Sequence, residues 1–345
     1  MSDAIEITTL HEMTPGELGD FFALLSDKQV LATKDGKPYY RVTFCDAGRE
    51  VSFPIWSDGT HAAACRDQWQ VGEFYKLRAE LRDSNYGMQL EIHRIRPVEE
   101  NDKQDGFDPL MCAPRSRFDP EAMYKEMMET AEEAIENEAL RELVVGIYES
   151  HREELLVLPA AQFNHHSYLS GYLEHVLNVT RHTRLLVEQY RNLYDDADPP
   201  IDVGVAVAGA MLHDIGKLRE LATGPAGATY TASGTLIGHI LQGRDILREA
   251  AADSEIDEDT LLRLEHIIVS HQRLPEWGSP KPPMTPEALI VHHADDLDAK
   301  IQMMVAAIAE DPGDGEFTSK RNALRQPIYR GKKETSDEED ELDES

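Results

Sequence analysis

The chemistry in this sequence gathers where apolar stretches end in histidine and aspartate. Val205 to Leu212 is an unbroken apolar run rich in small residues, which must be buried on most sides, and it stops at His213 and Asp214. Such polar groups seldom enter a core unpaired. A neutral imidazole nitrogen beside a carboxylate oxygen, with Gly216 letting the backbone pass closely, is satisfied by one divalent cation. A helix-terminal histidine followed by an aspartate that merely caps the next turn gives the same letters.

Histidines recur along the chain in the same setting. His165 and His166 precede a long periodic stretch, His175 lies in GYLEHVLNV, and His239 begins GHILQG. His266 and His271 share EHIIVSHQ, and VHHADDLDAK holds His292, His293 and Asp295. A lone core histidine is usually a satisfied hydrogen-bonding residue. So many beside apolar faces are explained together by a shared metal site. Helical spacing puts His175 on the side of Leu169, Tyr172 and Val179, pointing inward. His266 and His271, five apart, diverge too far to hold one ion, and His271 at the helix end is the freer. Asp295 falls inward with Val291, whereas Asp296 and Lys300 form an exposed i,i+4 pair.

The elements that must position these groups divide the chain in two, as its 345 residues allow. Residues 1–26 read as an N-terminal extension with an amphipathic helix around Leu18, Phe21, Phe22 and Leu25. From Lys28 the apolar period becomes two, in KPYYRVTFCD and REVSFPIW, with turns at Lys34 to Lys37 and Asp46 to Gly48. A short helix between Gly59 and Gln68 and strands from Glu73 to Arg82 and Tyr86 to Arg96 follow, the last two turning near Asn85 and Gly87. Five strands with a helix between the third and fourth is the order of an OB-fold, an all-β barrel that binds oligonucleotides, here over 27–98. Its alternation directs Tyr39, Arg41 and Trp56 outward, with Lys76 and Arg78 on the fourth strand, so that aromatics stack bases and cations follow phosphates. Packing of those aromatics on a neighbouring domain is the competing account.

Residues 99–119 are polar and proline-containing, a linker. An all-α domain over 120–330 is expected, with helices at Pro120 to Ile135, Glu138 to Glu149, Ser170 to Tyr194, Val203 to His213, Gly234 to Asp253, Asp257 to Gln272 and Pro286 to Glu310. Asp119 and Asp257 stand where caps are wanted. Residues 331–345 read as an acidic, disordered tail.

The net charge of −31 is unevenly spread: Glu334 to Ser345 carries eight acids and no base, and the rest still sums to −23. Between Lys28 and Val98, eleven Lys or Arg meet nine Asp or Glu, making the barrel the place for a phosphate-rich partner. Cys45, Cys65 and Cys112 lack metal or disulfide spacing. With no signal-peptide pattern and no run of roughly 20 apolar residues, a cytoplasmic protein without a membrane partner is expected.

The segments NHHSYLSGYLEHVLNV, GAMLHDIGKLREL, YTASGTLIGHI, SHQRLPEWGSP and EALIVHHADDLDAK resemble the HD-domain metal-dependent phosphohydrolases, and within them the YhaM-type 3′-to-5′ exoribonucleases, which join an OB-fold to an HD domain. The resemblance runs from Lys28 to Tyr329. It implies His175, His213, Asp214 and Asp295 as ligands of one ion, with Asp214 bridging to a second held by His239 and His271. Relatives often carry a histidine where this chain has Gln272, a weaker ligand that leaves the second position more open to water. A bridged pair of ions lowers the pKa of water and clamps phosphoryl oxygens for in-line attack. Lys217 then neutralises phosphate charge, and His165 or His166 protonates the leaving oxygen. Mixed histidine and carboxylate donors suit manganese first, then cobalt or iron, over magnesium.

A metal-dependent 3′-to-5′ exoribonuclease acting on single-stranded RNA, and on single-stranded DNA, is the resulting expectation. The resemblance also implies a homo-oligomer. Two rivals remain: an HD phosphohydrolase of free or cyclic nucleotides, which leaves the barrel without a task, and a non-catalytic single-strand-binding protein with a structural metal.

Overall fold

A computed structural model describes residues 7–33, 36–84, 87–162, 165–224, 227–311 and 313–332. The expected turn at Lys34 to Lys37, the tip at Asn85 and the acidic tail fall wholly or partly outside them.

The barrel strands are β1 (Leu18–Ala32), β2 (Pro38–Cys45), β3 (Glu50–Trp56), β4 (Phe74–Ser84) and β5 (Gly87–Pro97), with helix α1 (Ala62–Asp67) between β3 and β4. All neighbours are antiparallel, in the order β3-β2-β1-β4-β5, and β5 returns beside β3. That is the OB-fold order. The β2–β3 turn holds because Asp46 Oδ1 accepts from the backbone of Gly48 and Arg49. Phe44, Val51, Phe53, Tyr75 and Leu77 fill the core, with Ala62 and Cys65 of α1.

The stretch expected as a helix, Leu18 to Leu25, is the first strand, and the boundary placed at residue 26/27 cuts through it. Phe21, Ala23 and Leu25 enter the barrel core, while Phe22 and Leu24 face a second cluster with Cys45 and Cys112. A strand covered on both faces loses its alternation, and a short continuous apolar run then reads as helix or strand alike.

Residues 99–119 do not dangle. A 3₁₀ turn, Glu100–Asp105, buries Asp102 against Lys76 (3.2 Å) and Arg96 (2.6 and 2.7 Å), and the Arg96 guanidinium holds that carboxyl well below the usual range. Further on, the backbone of Pro114 and Ser116 pairs with Leu169, and the Ser116 hydroxyl donates to Glu174 at 2.6 Å. Both ends of the connector are thus stapled, one to each domain.

The second domain contains α2 (Pro120–Ala134), α3 (Glu138–Ser150), α4 (Arg152–Leu155), α5 (Gly171–Leu193), α6 (Val203–Leu212), α7 (Lys217–Glu220), α8 (Ala232–Ile237), α9 (His239–Ala251), α10 (Glu258–Ser270) and α11 (Pro286–Glu310). Helix α6 is buried from Val205 to Leu212 and packs against α2, α3, α5, α10 and α11. Its alanines and glycines allow that close approach. Aspartates cap as expected: Asp119 accepts from Glu121 N and Asp257 from Thr260 N.

The domain is helical as expected, with one small addition: a hairpin, β6 (Leu221–Gly224) and β7 (Gly227–Tyr230), follows α7. One expectation within it is corrected. The helix expected over Gly234 to Asp253 is two, broken at Gly238, whose φ of +80° no helix interior contains. No described helix is long and apolar enough to cross a membrane.

Gly216 lets α7 lie on α9. A Cβ there meets the His239 carbonyl oxygen at 1.9 Å and the Gly243 nitrogen at 2.4 Å, both backbone atoms that cannot swing aside. Gly216→Ala is expected to cost at least about 1–3 kcal/mol, the range for overpacking. An unchanged urea midpoint would contradict the close approach.

Candidate metal centre and active site

Asp214 follows α6 at the centre of the helical domain, 2 % exposed. Its two carboxylate oxygens face different partners. Oδ2 lies 3.6 Å from His175 Nε2 and 3.5 Å from His213 Nε2, and Oδ1 lies 3.4 Å from His239 Nε2 and 3.6 Å from His271 Nε2. Asp295 joins the first side, its Oδ1 3.2 Å from His175 Nε2 and 3.8 Å from His213 Nε2. Five helices and their ends thus converge: α5 supplies His175, the end of α6 His213 and Asp214, α9 His239, the end of α10 His271, and α11 Asp295.

The far ring nitrogens fix which atom faces inward. Nδ1 of His213 donates to Ala210 O at 2.7 Å and Nδ1 of His271 to Ile268 O at 2.8 Å. Nδ1 of His239 meets Glu220 Oε1 at 3.0 Å, and Nδ1 of His175 meets Asp298 Oδ2 at 2.8 Å. Tethering through Nδ1 leaves Nε2 as the free lone pair, as metal-ligating histidines require. Nε2 of His175, His213 and His271 and Oδ1 of Asp214 are buried without a hydrogen-bond partner among the described residues. Unpaired buried acceptors around common points are costly unless a cation satisfies them. Two groups, His175–His213–Asp214 and Asp214–His239–His271, could each hold an ion, with Asp214 in both.

Electrostatics agree with that donor set. Burial keeps His213 below its ordinary pKa and pushes His271 down to about 3, so both are neutral ligands. Burial alone raises the Asp214 carboxyl, but the Lys217 ammonium and the surrounding imidazoles outweigh it and hold the group well below its usual range. Lys217 Nζ lies 2.5 Å from Asp214 Oδ2, and the residue is 5 % exposed, not a surface lysine. For His175, burial disfavours the charge, yet the Asp295 and Asp298 carboxylates beside its two ring nitrogens prevail and raise it to about 9.

The site opens on a cleft of about 370 Å³ lined by His165, Lys217, Tyr230, His239, Gln272 and Trp277. Gln272 Nε2 lies 3.3 Å from His239 Nε2, at the edge of the Asp214–His239–His271 group. The structure does not leave His166 available as a proton donor. Its Nε2 contacts Asp298 at 3.0 Å and its Nδ1 the Tyr168 hydroxyl at 2.8 Å, itself bonded to Glu174. His165 lines the cleft, its ring 5.1 Å from that of His175, but burial drives its pKa to about 3, so it is neutral near pH 7. His266 accepts from Met284 N, and His292 Nδ1 bonds to His271 O, both away from the donor cluster. Asp298 and Glu220 escaped the sequence reading. Asp298 carried a signal, three residues beyond Asp295 on the same helix face; Glu220 carried none.

On the barrel, Tyr39 and Trp56 are cross-strand partners with ring centroids 5.1 Å apart, and Trp56 is 51 % exposed. Arg41 is exposed beside them and donates to Gln29. Lys76 does not reach outward for phosphate: Asp102 and Asp105 neutralise it. Arg78 is half-exposed, 3.5 Å from Asp20.

The HD domain family model matches residues 172–300. The 3′-5′ exoribonuclease YhaM of Bacillus licheniformis is 33 % identical over 320 residues, covering 91 % of this chain and 94 % of its own. That of Bacillus subtilis is 33 % identical over 322 residues with the same coverage. Among solved structures, the second OB-fold domain of replication protein A from Methanococcus maripaludis covers 27 % of this chain and 95 % of its own, at 15 % identity and a TM-score of 0.21.

The His175 pKa sets how a cation competes with protons. Because it is raised above the ordinary value of 6.5, proton binding stabilises the metal-free fold fully below pH 6.5, a contribution lost as pH rises through about 9. A metal needs the neutral ring, so its affinity should climb about tenfold per pH unit up to about pH 9 and then level off. Manganese-induced shifts in melting temperature between pH 6 and 10 measure this, and a flat profile contradicts it. Asp298→Ala is expected to weaken the metal about 10–100-fold by freeing the His175 ring.

Proposed function

Since the chain belongs to the YhaM family of 3′-5′ exoribonucleases, we propose that it is a metal-dependent exonuclease that shortens single-stranded RNA, and single-stranded DNA, from the 3′ end and releases nucleoside monophosphates. The observation that carries this reading is the shared Asp214 carboxylate, with orphaned imidazole nitrogens on both sides. His175, His213, Asp214 and Asp295 would hold one divalent ion, and Asp214, His239 and His271 the second. Imidazole and carboxylate donors suit manganese, with cobalt or iron next, better than magnesium, which prefers oxygen alone. Such a pair supplies Lewis acidity, acidifying the attacking water and neutralising phosphoryl charge.

The chain's own residues do the rest. Lys217 is the one permanent cation among the described residues lining the cleft, and its ammonium offsets phosphate charge as the scissile group enters. Asp298 and Glu220 keep the His175 and His239 rings aimed inward. His166 is a positioning residue that holds Asp298, and neutral His165 offers a hydrogen bond at the cleft wall. Tyr39, Trp56 and Arg41 give the barrel a face for stacking bases and meeting phosphate. Three buried free thiols, Cys45, Cys65 and Cys112, support a reducing, cytoplasmic setting.

The test is incubation with 5′-labelled single-stranded RNA, with and without manganese, beside free and cyclic nucleotides. Stepwise shortening that needs metal is expected. Asp214→Asn should reduce it to background while RNA binding stays nearly intact. Hydrolysis of free nucleotides without shortening, or binding without any cleavage, would replace this reading with one of its rivals.

A further inference from the structure

The C-terminal part of the helical domain contains a surface that the metal centre and the barrel do not use. From Lys320 to Lys333 the sequence holds six Lys or Arg and no acid, in a chain whose net charge is −31. An electropositive stretch in so acidic a protein is a place where a polyanion can approach.

The segment is built. Phe317 and Tyr329 form an antiparallel bridge, Thr318 N donates to Ile328 O at 2.9 Å, and Arg330 N to Glu316 O at 2.9 Å. Arg330 also donates through Nε to Gly315 O at 2.7 Å and lies 3.1 Å from Asp311 Oδ1, tying the segment to the end of α11. The Asn322 amide donates to Ser319 O and Gln326 O, shaping the loop between them. Lys320, Arg321 and Arg325 are exposed on that loop, and none has an ion-pair partner among the described residues. Arg325 holds a φ of +54°, which a non-glycine residue rarely adopts. Phe317 and Tyr329 are 55 % and 58 % exposed, their rings 5.1 Å apart.

The position of the surface matters as much as its chemistry. Phe317 and Arg321 line a cavity of about 930 Å³ with Met303 and Glu310 of α11 and with Ser167, two residues from His165 in the catalytic cleft. Glu310, on the same cavity wall, lies close enough to Glu50, at the start of β3, to add to the effect of burial in raising that carboxyl. The surface therefore adjoins the segment that carries His165, and its cavity wall lies within electrostatic reach of a barrel strand.

Resting on the exoribonuclease reading, we propose that residues 313–332 form a second strand-binding surface: Lys320, Arg321 and Arg325 take phosphates and Phe317 and Tyr329 take bases of the single strand that runs from barrel to cleft. Asp311 does not oppose this, since Gly313 N, Ser319 N and Arg330 occupy it. Glu310, on the cavity wall, is placed to accept from a base N–H.

The test uses the full chain. Binding of a labelled oligouridylate about twenty nucleotides long, longer than one OB-fold covers, is followed by anisotropy in chelator across a salt series. Turnover of bis(p-nitrophenyl) phosphate with manganese is followed separately. For Lys320→Ala/Arg321→Ala/Arg325→Ala, RNA affinity is expected to fall about tenfold and the slope of log affinity against log salt to drop by about two, as three lost phosphate contacts on a single strand imply. Phe317→Ala/Tyr329→Ala should weaken RNA with little change in that slope, and turnover of the small diester should not change in either variant. Unchanged RNA affinity, an equal loss on both substrates, or a loss confined to binding of an acidic polypeptide such as polyglutamate would overturn the proposal. Wild-type chain that binds the RNA but never shortens it would remove the exoribonuclease reading and leave this surface standing.

Discussion

A carboxylate sealed among four imidazoles is the constraint from which the rest of this molecule follows. Asp214 is almost fully buried, and no hydrogen bond among the described residues reaches its Oδ1. An ionised carboxylate is expensive in such a place unless positive charge compensates it. Lys217 provides one charge directly. The imidazole lone pairs around it attract another but cannot supply it, so the arrangement makes physical sense as one half of a structure whose other half is cationic.

Much of the helical domain can be understood as the means of holding that arrangement. Helix α6 is made of small apolar residues, so that its neighbours reach it closely and deliver their ligand ends to its C-terminus. Gly238 breaks what would have been one helix, so that His239 begins a new one with its backbone nitrogen and Nδ1 both on Glu220. Asp298 binds His175 and His166 at once, and from His166 the bonding continues through Tyr168 and Glu174 to Ser116 in the connector. A ligand of the site is in this way linked through buried polar groups to the segment that carries the barrel. Backbone carbonyls hold two of the four imidazoles and carboxylates the other two.

The sequence was most legible where inward-facing histidines and aspartates coincide with the HD-domain resemblance, which supplied the ligand set. His175, His213, Asp214, His239, His271 and Asp295 lie at helix ends or on inward faces, and the structure brings all six together. It was least legible where burial on two sides or a distant partner decides the outcome. The run from Phe21 to Leu25 is apolar without interruption because both faces of β1 are covered, which erases the period that marks a strand. Alternation correctly took Lys76 off the core face, but could not show that Asp102 and Asp105, some 26 and 29 residues later, would claim it. His166 looked like an available acid because its neighbours in space, Asp298 above all, are 132 residues away in the chain.

The stapled connector has a consequence for what is left at the end of a reaction. Asp102 fastens it to Lys76 and Arg96 on the barrel, and Ser116 fastens it to Glu174 on α5. Grip and blade are therefore kept at a set separation, and the molecule carries its own length gauge. A remnant too short to reach the barrel would lose that hold, so the size at which trimming slows would follow protein architecture rather than base composition.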